Sequence, residues 1–346
     1  MWGEVVVVTS DPRGPQMNRL RVYGRIKQLI VTSVLLILLS SSALAQQCGP
    51  SSSRTIRVGV LPVMNTLPLF VAQSEGFYDA HGIIVELLPL ESARDRSIGL
   101  QTGQIDIGNN DVMGAALQVA SGDQLKIIRH DPFTAGTPFF SIVTRNGAGL
   151  SSQEDVVAAL AAGQIQVAVG HNTVTEYMAS RLLKDAGYEV QANDYIEISA
   201  IPLRLEQLIQ GTVEAALLPE PLTTLAVETG VGTAMFQDSS TSFVPVVLTA
   251  SQQAIDERPG DLCRFLAAYE EAVEAINSNP ENFRYNEIRI PEPIIESYQV
   301  PEFASARVPT PEELSLVLDW MVETGMLDQE LDYNDLVDPR FIPKSQ

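Results

Sequence analysis

Apolar positions along the chain follow two rhythms. Short runs such as Arg54-Thr-Ile-Arg-Val-Gly-Val-Leu61, Ile83-Ile-Val-Glu-Leu87 and Phe139 to Val143 are continuous and rich in β-branched residues, the pattern of strands buried on both faces. Between them, apolar residues recur at three- and four-residue spacing, the period of helices. Strands are predicted at 54–61, 83–87, 105–107, 125–129, 139–143, 166–169, 195–198, 215–218 and 244–249. Helices are predicted at 67–75, 92–102, 111–120, 151–162, 173–186 and 202–210, and from Pro221 to near Gly230. After residue 249 the pattern is mostly helical, over 259–277 and 311–325, with a Pro- and Glu-rich stretch between them and a surface-packed tail from Asp328 to Gln346. Strands alternating with helices predict an α/β fold with mostly parallel sheet.

One pattern occurs three times: Leu100-Gln-Thr-Gly103-Gln-Ile105-Asp106-Ile-Gly108, Leu160-Ala-Ala-Gly163-Gln-Ile165-Gln166-Val-Ala168 and Leu208-Ile-Gln-Gly211-Thr-Val213-Glu214-Ala-Ala216. Each reads as a helix stopped by a glycine in the left-handed conformation, followed by a buried strand. A polar loop is expected after each strand: Asn109-Asn110-Asp111, His171-Asn172-Thr173 and Pro219-Glu220-Pro221. Ligands of open α/β sheets sit at such strand ends. The first and third copies lie 108 residues apart, which suggests two related lobes. Thr173-Val-Thr-Glu176 has the spacing of a capping box.

The front of the chain stands apart. Arg19, Arg21, Arg25 and Lys27 precede an apolar run from Leu29 to Leu39, and Ala43-Leu44-Ala45 follows. This is the layout of an export signal over residues 1–45, and Met17 would give it ordinary length. Residues 46–346 carry 17 Lys and Arg against 41 Asp and Glu, a net charge of −24. Such a surface repels nucleic acid and anionic lipid, so neither is an expected partner. Cys48 opens a Gly-Pro-Ser-Ser-Ser linker within residues 46–53 and is a candidate for lipidation, the chain's one expected attachment to a membrane, although Gln47 is not the small residue such a site favours. Plain cleavage after Ala45 is the alternative. Cys263 lies in a helical pattern and reads as a small buried hydrophobe, since a disulfide between a linker thiol and a helix thiol would be unusual. No Cys/His spacing suggests a metal site, and no cofactor is expected.

Several segments together resemble a known family. Arg57-Val-Gly59, Pro68-Leu-Phe-Val-Ala72, Glu75-Gly-Phe-Tyr78 and Gly82-Ile-Ile-Val-Glu86 resemble the opening of the NMT1/THI5-like periplasmic binding proteins, solute receptors of transporters for sulfonates, taurine, nitrate, thiamine precursors and riboflavin. Leu100 to Gly108 matches that family's L-x-x-G-x-I-D-x-G segment, and Gly122-Asp-Gln-Leu-Lys-Ile-Ile128 its following strand. Glu214-Ala-Ala-Leu-Leu-Pro-Glu-Pro221 resembles its second-lobe segment, and Arg264-Phe-Leu-Ala-Ala-Tyr269 with Asn277-Ser-Asn-Pro280 its C-terminal helix. The resemblance covers about residues 54–325. It implies a two-lobe periplasmic binding protein fold of type II, with lobe 1 at 54–143 plus 244–346, lobe 2 at 144–243, and crossing segments near Ser141–Thr144 and Phe243–Pro245 as the hinge. It further implies an exported, monomeric receptor, periplasmic or anchored to the outer face of the membrane, that closes on a small molecule and hands it to an ABC permease and ATPase on other chains.

The expected ligand contacts follow the strands: Asn65 and Thr66, Asn110 and Asp111, His171, Asn172, Thr173 and Thr175, and Glu220 at the family's Glu-Pro position. Thr137 and Phe139, near the expected crossing, are further candidates to line the pocket. Helix capping is the alternative role for Asn65, Asn110 and Thr173, dipole matching for Asp111, an inter-lobe contact or a structural loop for Glu220, and core packing for Phe139. These loops hold no Arg or Lys but do hold Asp111 and Glu220. The expected ligand is therefore neutral or weakly cationic, a pyrimidine or other nitrogen heterocycle related to thiamine or a flavin, with taurine, other sulfonates and nitrate the alternatives. Relatives that make the thiamine pyrimidine carry a Cys-rich motif absent here, and neither a Gly-x-Ser-x-Gly segment nor a P-loop occurs, so no catalysis is expected. A ligand-sensing partner of a membrane kinase would present the same cleft.

Overall fold

The computed structural model describes residues 48–134, 138–238, 243–284, 290–329 and 331–343. Every element below lies in the unit Pro50–Gln346. The expected export segment and Thr137 fall outside the described residues.

The chain first lays down β1 (Ile56–Val60), α1 (Leu67–Ser74), α2 (Phe77–Ala80), β2 (Val85–Pro89) and α3 (Ala93–Gln101). Next come β3 (Ile107–Asp111), α4 (Val112–Ala120) and β4 (Leu125–His130). A second block holds β5 (Phe140–Arg145), α5 (Gln153–Ala161), β6 (Val167–Val169), α6 (Val174–Asp185) and β7 (Tyr195–Glu197). It continues with α7 (Ile201–Gln210), β8 (Ala215–Pro219), α8 (Leu222–Glu228) and β9 (Gly232–Gln237). The chain then returns with β10 (Val246–Ser251), α9 (Gln252–Glu257), α10 (Pro259–Ser278), α11 (Pro311–Glu323) and α12 (Tyr333–Leu336).

Two five-stranded sheets result, with strand orders β2-β1-β3-β10-β4 and β7-β6-β8-β5-β9. Their plans coincide. In each, the first three strands are parallel and the fourth runs antiparallel to both neighbours. That fourth strand, β10 or β5, is the one entered as the chain arrives from the other sheet. A strand arriving by such a crossing needs no βα connection within its own sheet, so nothing forces it parallel. Because β5 hydrogen-bonds to β8 and β9, Phe140–Val143 belongs to the second lobe. The first crossing thus lies between Asp131 and Phe139, ahead of the expected boundary after Val143.

The repeated glycine stops keep one geometry. Gly103, Gly163 and Gly211 have φ of +68°, +64° and +72°, and their N–H groups donate to the carbonyls of Leu100, Leu160 and Leu208. The strands that follow, β3, β6 and β8, lie side by side with the sheet centres and are buried throughout. The first expected loop is not a loop: Asn109-Asn110-Asp111 completes β3, and Asp111 rather than Asn110 caps α4, accepting from Gly114 N at 2.7 Å. Buried Leu262, Phe265, Leu266, Tyr269, Val273 and Ile276 form one stripe of α10, which packs on α1. The tail covers the edge of β4, where Val337 pairs with Ile127.

Both cysteines are disulfide-bonded. A sulfur held in a disulfide offers no thiol for acylation, so the expected lipid on Cys48 would require the reduced cysteine. Cys263 is half-buried against the core rather than fully buried. Among the described residues, no helix is long and apolar enough to cross a membrane.

Candidate functional site

A cavity of about 40 Å³ lies between the two sheets, lined from the first by Asn65, Arg96 and Asn109–Asp111 and from the second by Thr173, Thr175 and Arg204. It shares Ala93, Arg96, Thr173 and Ser199 with an open groove of about 530 Å³ that His171 and Asn172 border. The inner space alone holds only a few water molecules, so a larger ligand would extend into the groove or part the lobes.

The two arginines are related by the internal repeat. Arg96 sits four residues before Leu100 and Arg204 four before Leu208, each in the fourth position of its helix. From α3, Arg96 Nη1 donates to Asn109 O at 3.2 Å. From α7, Arg204 Nη1 reaches the matching carbonyl, Leu217 O, at 3.4 Å. Both side chains are 2 % exposed. Each lies tight against a glycine: a Cβ on Gly114 would stand 2.7 Å from Arg96 Nη2, and one on Gly170 2.8 Å from Arg204 Nη2.

Their charge environments differ. Arg96 Nη2 pairs with Asp111 Oδ2 at 3.2 Å. The residue of lobe 2 that corresponds to Asp111 is Pro219, which has no charge to offer. Arg204 instead donates from Nε to Ile198 O at 2.8 Å and from Nη2 to Ser199 O at 3.3 Å. Among the described residues no carboxylate pairs with it. Burial lowers its pKa to about 10, opposed by the field of Glu197, so it remains a cation at neutral pH. Three polar atoms of cavity-lining residues also lack partners among the described residues: Asn65 Oδ1, Arg96 Nε and Asn109 Nδ2.

The remaining expected contacts divide. Asn65, Asn110, Asp111, Thr173 and Thr175 line the cavity. Both ends of the Asn110 amide are engaged, Nδ2 with Thr249 Oγ1 at 3.0 Å and Oδ1 with Asp111 N at 2.8 Å. Thr173 caps α6 and donates to Gly170 O, while Thr175 Oγ1 accepts from Gly170 N. Glu176 completes no capping box, since its carboxylate takes the N–H of Asn172 instead. Thr66 does not line the cavity, and its hydroxyl donates to Val63 O. Glu220 lies at the seam between the lobes. Its carbonyl accepts from Met64 N at 2.9 Å and its carboxylate from Thr224 Oγ1 at 2.8 Å. Burial raises its pKa to about 7. Phe139 combines both expected roles, lining the cavity while 2 % exposed. Asn109 stands in the first expected polar segment, whereas the two arginines lie inside helices, away from the strand ends. The signal was present as an arginine one helical turn before the repeat's leucine in its first and third copies.

The model of the NMT1-like family matches residues 49–287. The chain belongs to the NMT1-like family. The alkanesulfonate-binding protein SsuA of Xanthomonas axonopodis pv. citri, solved with MOPS, superposes with a TM-score of 0.69 at 11% identity, over 83% of this chain and 99% of that one. The periplasmic nitrate-binding protein NrtA of Synechocystis PCC 6803 gives 0.67 at 17% identity, over 83% and 85%. A zinc-bound ligand-binding component of an ABC-type import system from Staphylococcus aureus gives 0.68 at 14% identity, over 83% and 97%. At these identities the likeness establishes the two-lobe periplasmic binding protein fold. Comparison of the sequence with curated proteins finds no match.

Proposed function

We propose that this member of the NMT1-like family is the exported solute receptor of an ABC importer and captures a small acidic molecule by closure of its two lobes. Arg204 carries the acidic part of the reading. A buried guanidinium with only carbonyl partners is an electrostatic vacancy for an anion, and the lobe 1 counterpart already has its carboxylate in Asp111. An acidic group of the ligand would complete lobe 2 as Asp111 completes lobe 1, and it would do so only when the lobes meet. That differential contact is what drives closure. The neutral heterocycle expected from the loops gives way to this reading, because the cations enter from helices α3 and α7. Sulfonate and nitrate binding in structural neighbours supports the acid preference, and the basic, apolar and Ala43-Leu44-Ala45 segments support export. Permease and ATPase would be separate chains, and the reading assigns no catalysis and a monomer.

Thermal unfolding of the mature protein with ethanesulfonate, taurine, acetate, nitrate, thiamine and riboflavin tests it. A ligand at a hundred times its Kd adds about 2.7 kcal/mol, which raises Tm by several degrees in a protein of this size. A shift with an acid, lost in Arg204→Gln, is the expected result. A shift with thiamine or riboflavin and with none of the acids would overturn the reading.

A further inference from the structure

We propose that Asn65 makes the site select acids that also carry an N–H or O–H donor, an inference that rests on the acidic-ligand reading above. Asn65 belongs to the turn Met64–Thr66 that follows β1, and it is 1 % exposed. The orientation of its amide is fixed by what faces the nitrogen. Nδ2 lies 3.2 Å from Asp131 Oδ2 and 3.4 Å from Asp131 O. One of these is a main-chain carbonyl, an acceptor at any pH, so the nitrogen must point there. Oδ1 is then left on the remaining side of a cavity-lining side chain, without a partner among the described residues.

The group behind Asn65 cannot swing away to relieve this. Asp131 is fully buried and accepts from Arg129 Nη1 at 2.8 Å and from the Tyr269 hydroxyl. Arg129 is itself held by Glu270 at 2.6 Å and by Ala304 O at 2.9 Å, and lies 4.5 Å from the centre of the Tyr269 ring. The other two unpartnered atoms, Arg96 Nε and Asn109 Nδ2, are donors suited to the oxygens of an acid. Asn65 Oδ1 is an acceptor, and an acid anion without a further hydrogen would leave it buried and unsatisfied. Nitrate and simple alkanesulfonates are such anions. A hydroxy-, amino- or amido-substituted acid supplies both kinds of group.

Titration calorimetry with matched acids tests the inference: ethanesulfonate against 2-hydroxyethanesulfonate and taurine, and propanoate against 2- and 3-hydroxypropanoate. In the unaltered protein, at least one donor-bearing acid should bind about ten- to a hundredfold more tightly than its donor-free partner, the range expected for one buried acceptor gaining or lacking its bond. Asn65→Leu should remove that ratio while Arg204→Gln weakens every acid alike. Asn65→Ala, which removes the acceptor and adds no bulk, should remove the ratio as well, and it keeps the test decisive if Asn65→Leu does not fold. Equal binding of all matched pairs would overturn the Asn65 inference and leave the acidic reading standing. A ratio that survives in both Asn65 variants would also overturn it. Failure of every acid to bind while a neutral solute binds would remove both.

Discussion

At the scale of single residues, two arginines with matching main-chain contacts should behave oppositely when neutralised. Arg96→Gln strands Asp111 as a buried carboxylate and should cost about 3–5 kcal/mol of stability, read as a lower urea midpoint. Arg204→Gln removes a buried cation that has no acidic partner among the described residues. The unliganded protein should lose less than about 2 kcal/mol, within the value of its hydrogen bonds to carbonyls, yet every acid should bind far more weakly. If the two variants lose equal stability, Arg204 has an unrecognised counter-charge. Gly170 offers a test that removes no charge. A methyl there would stand 2.8 Å from Arg204 Nη2, so Gly170→Ala should displace the guanidinium and weaken acid binding at least tenfold, as judged by calorimetry, with Arg204 still present.

At the scale of elements, the stops after α3, α5 and α7 are interchangeable in backbone but not in surroundings. A Cβ on Gly103 or Gly163 meets open space, whereas one on Gly211 comes within 3.3 Å of Arg145 Nε. Gly103→Ala and Gly163→Ala should each cost about 1 kcal/mol from the left-handed backbone alone, and Gly211→Ala should cost more. Chemical denaturation of the three variants checks the order. These stops were legible in the sequence because Leu and Gly at fixed spacing report local geometry, and the strands after them because continuous apolar runs report burial. The site was legible only in part. Asn110, Asp111, Thr173 and Thr175 stand at strand ends, where position alone marks them. Arg96 and Arg204 lie within helices, where an arginine ordinarily points to water. Only folding reveals that both turn inward, because it brings the main chain at Gly114 and Gly170 close enough to receive them. The boundary at Phe140 was hidden for a related reason: an apolar strand carries no mark of which sheet it joins.

At the scale of the whole molecule, the crossings place titratable groups where the lobes meet. Glu220 follows β8 and its carbonyl is held by Met64 of the other lobe. Its carboxylate also lies near the Tyr298 hydroxyl and in the field of Asp238. Asp238 Oδ1 in turn accepts from Phe139 N and Phe140 N at 2.8 and 2.7 Å, at the crossing itself. Burial raises the pKa of Glu220 to about 7 and that of Asp238 to about 6. For carboxyls raised in this way the native state binds more protons than the unfolded chain, so the sign is fixed: their contribution favours the native state at low pH and declines as pH rises from near 4 to near 7. If opening the lobes rehydrates Glu220 and returns it toward its ordinary value, closure follows the same sign. Acid binding should therefore be several-fold tighter at pH 5.5 than at pH 8. Titration of the same acid across that range checks this, with Glu220→Gln as the control. The amide keeps a neutral hydrogen-bonding group at the seam, so the variant should hold the low-pH affinity and lose most of the decline. A decline of undiminished size in Glu220→Gln would move the effect to Asp238, or to Asp131, whose pKa burial also raises to about 7. An affinity that rises with pH would show that ionised Glu220 is tolerated in the closed seam.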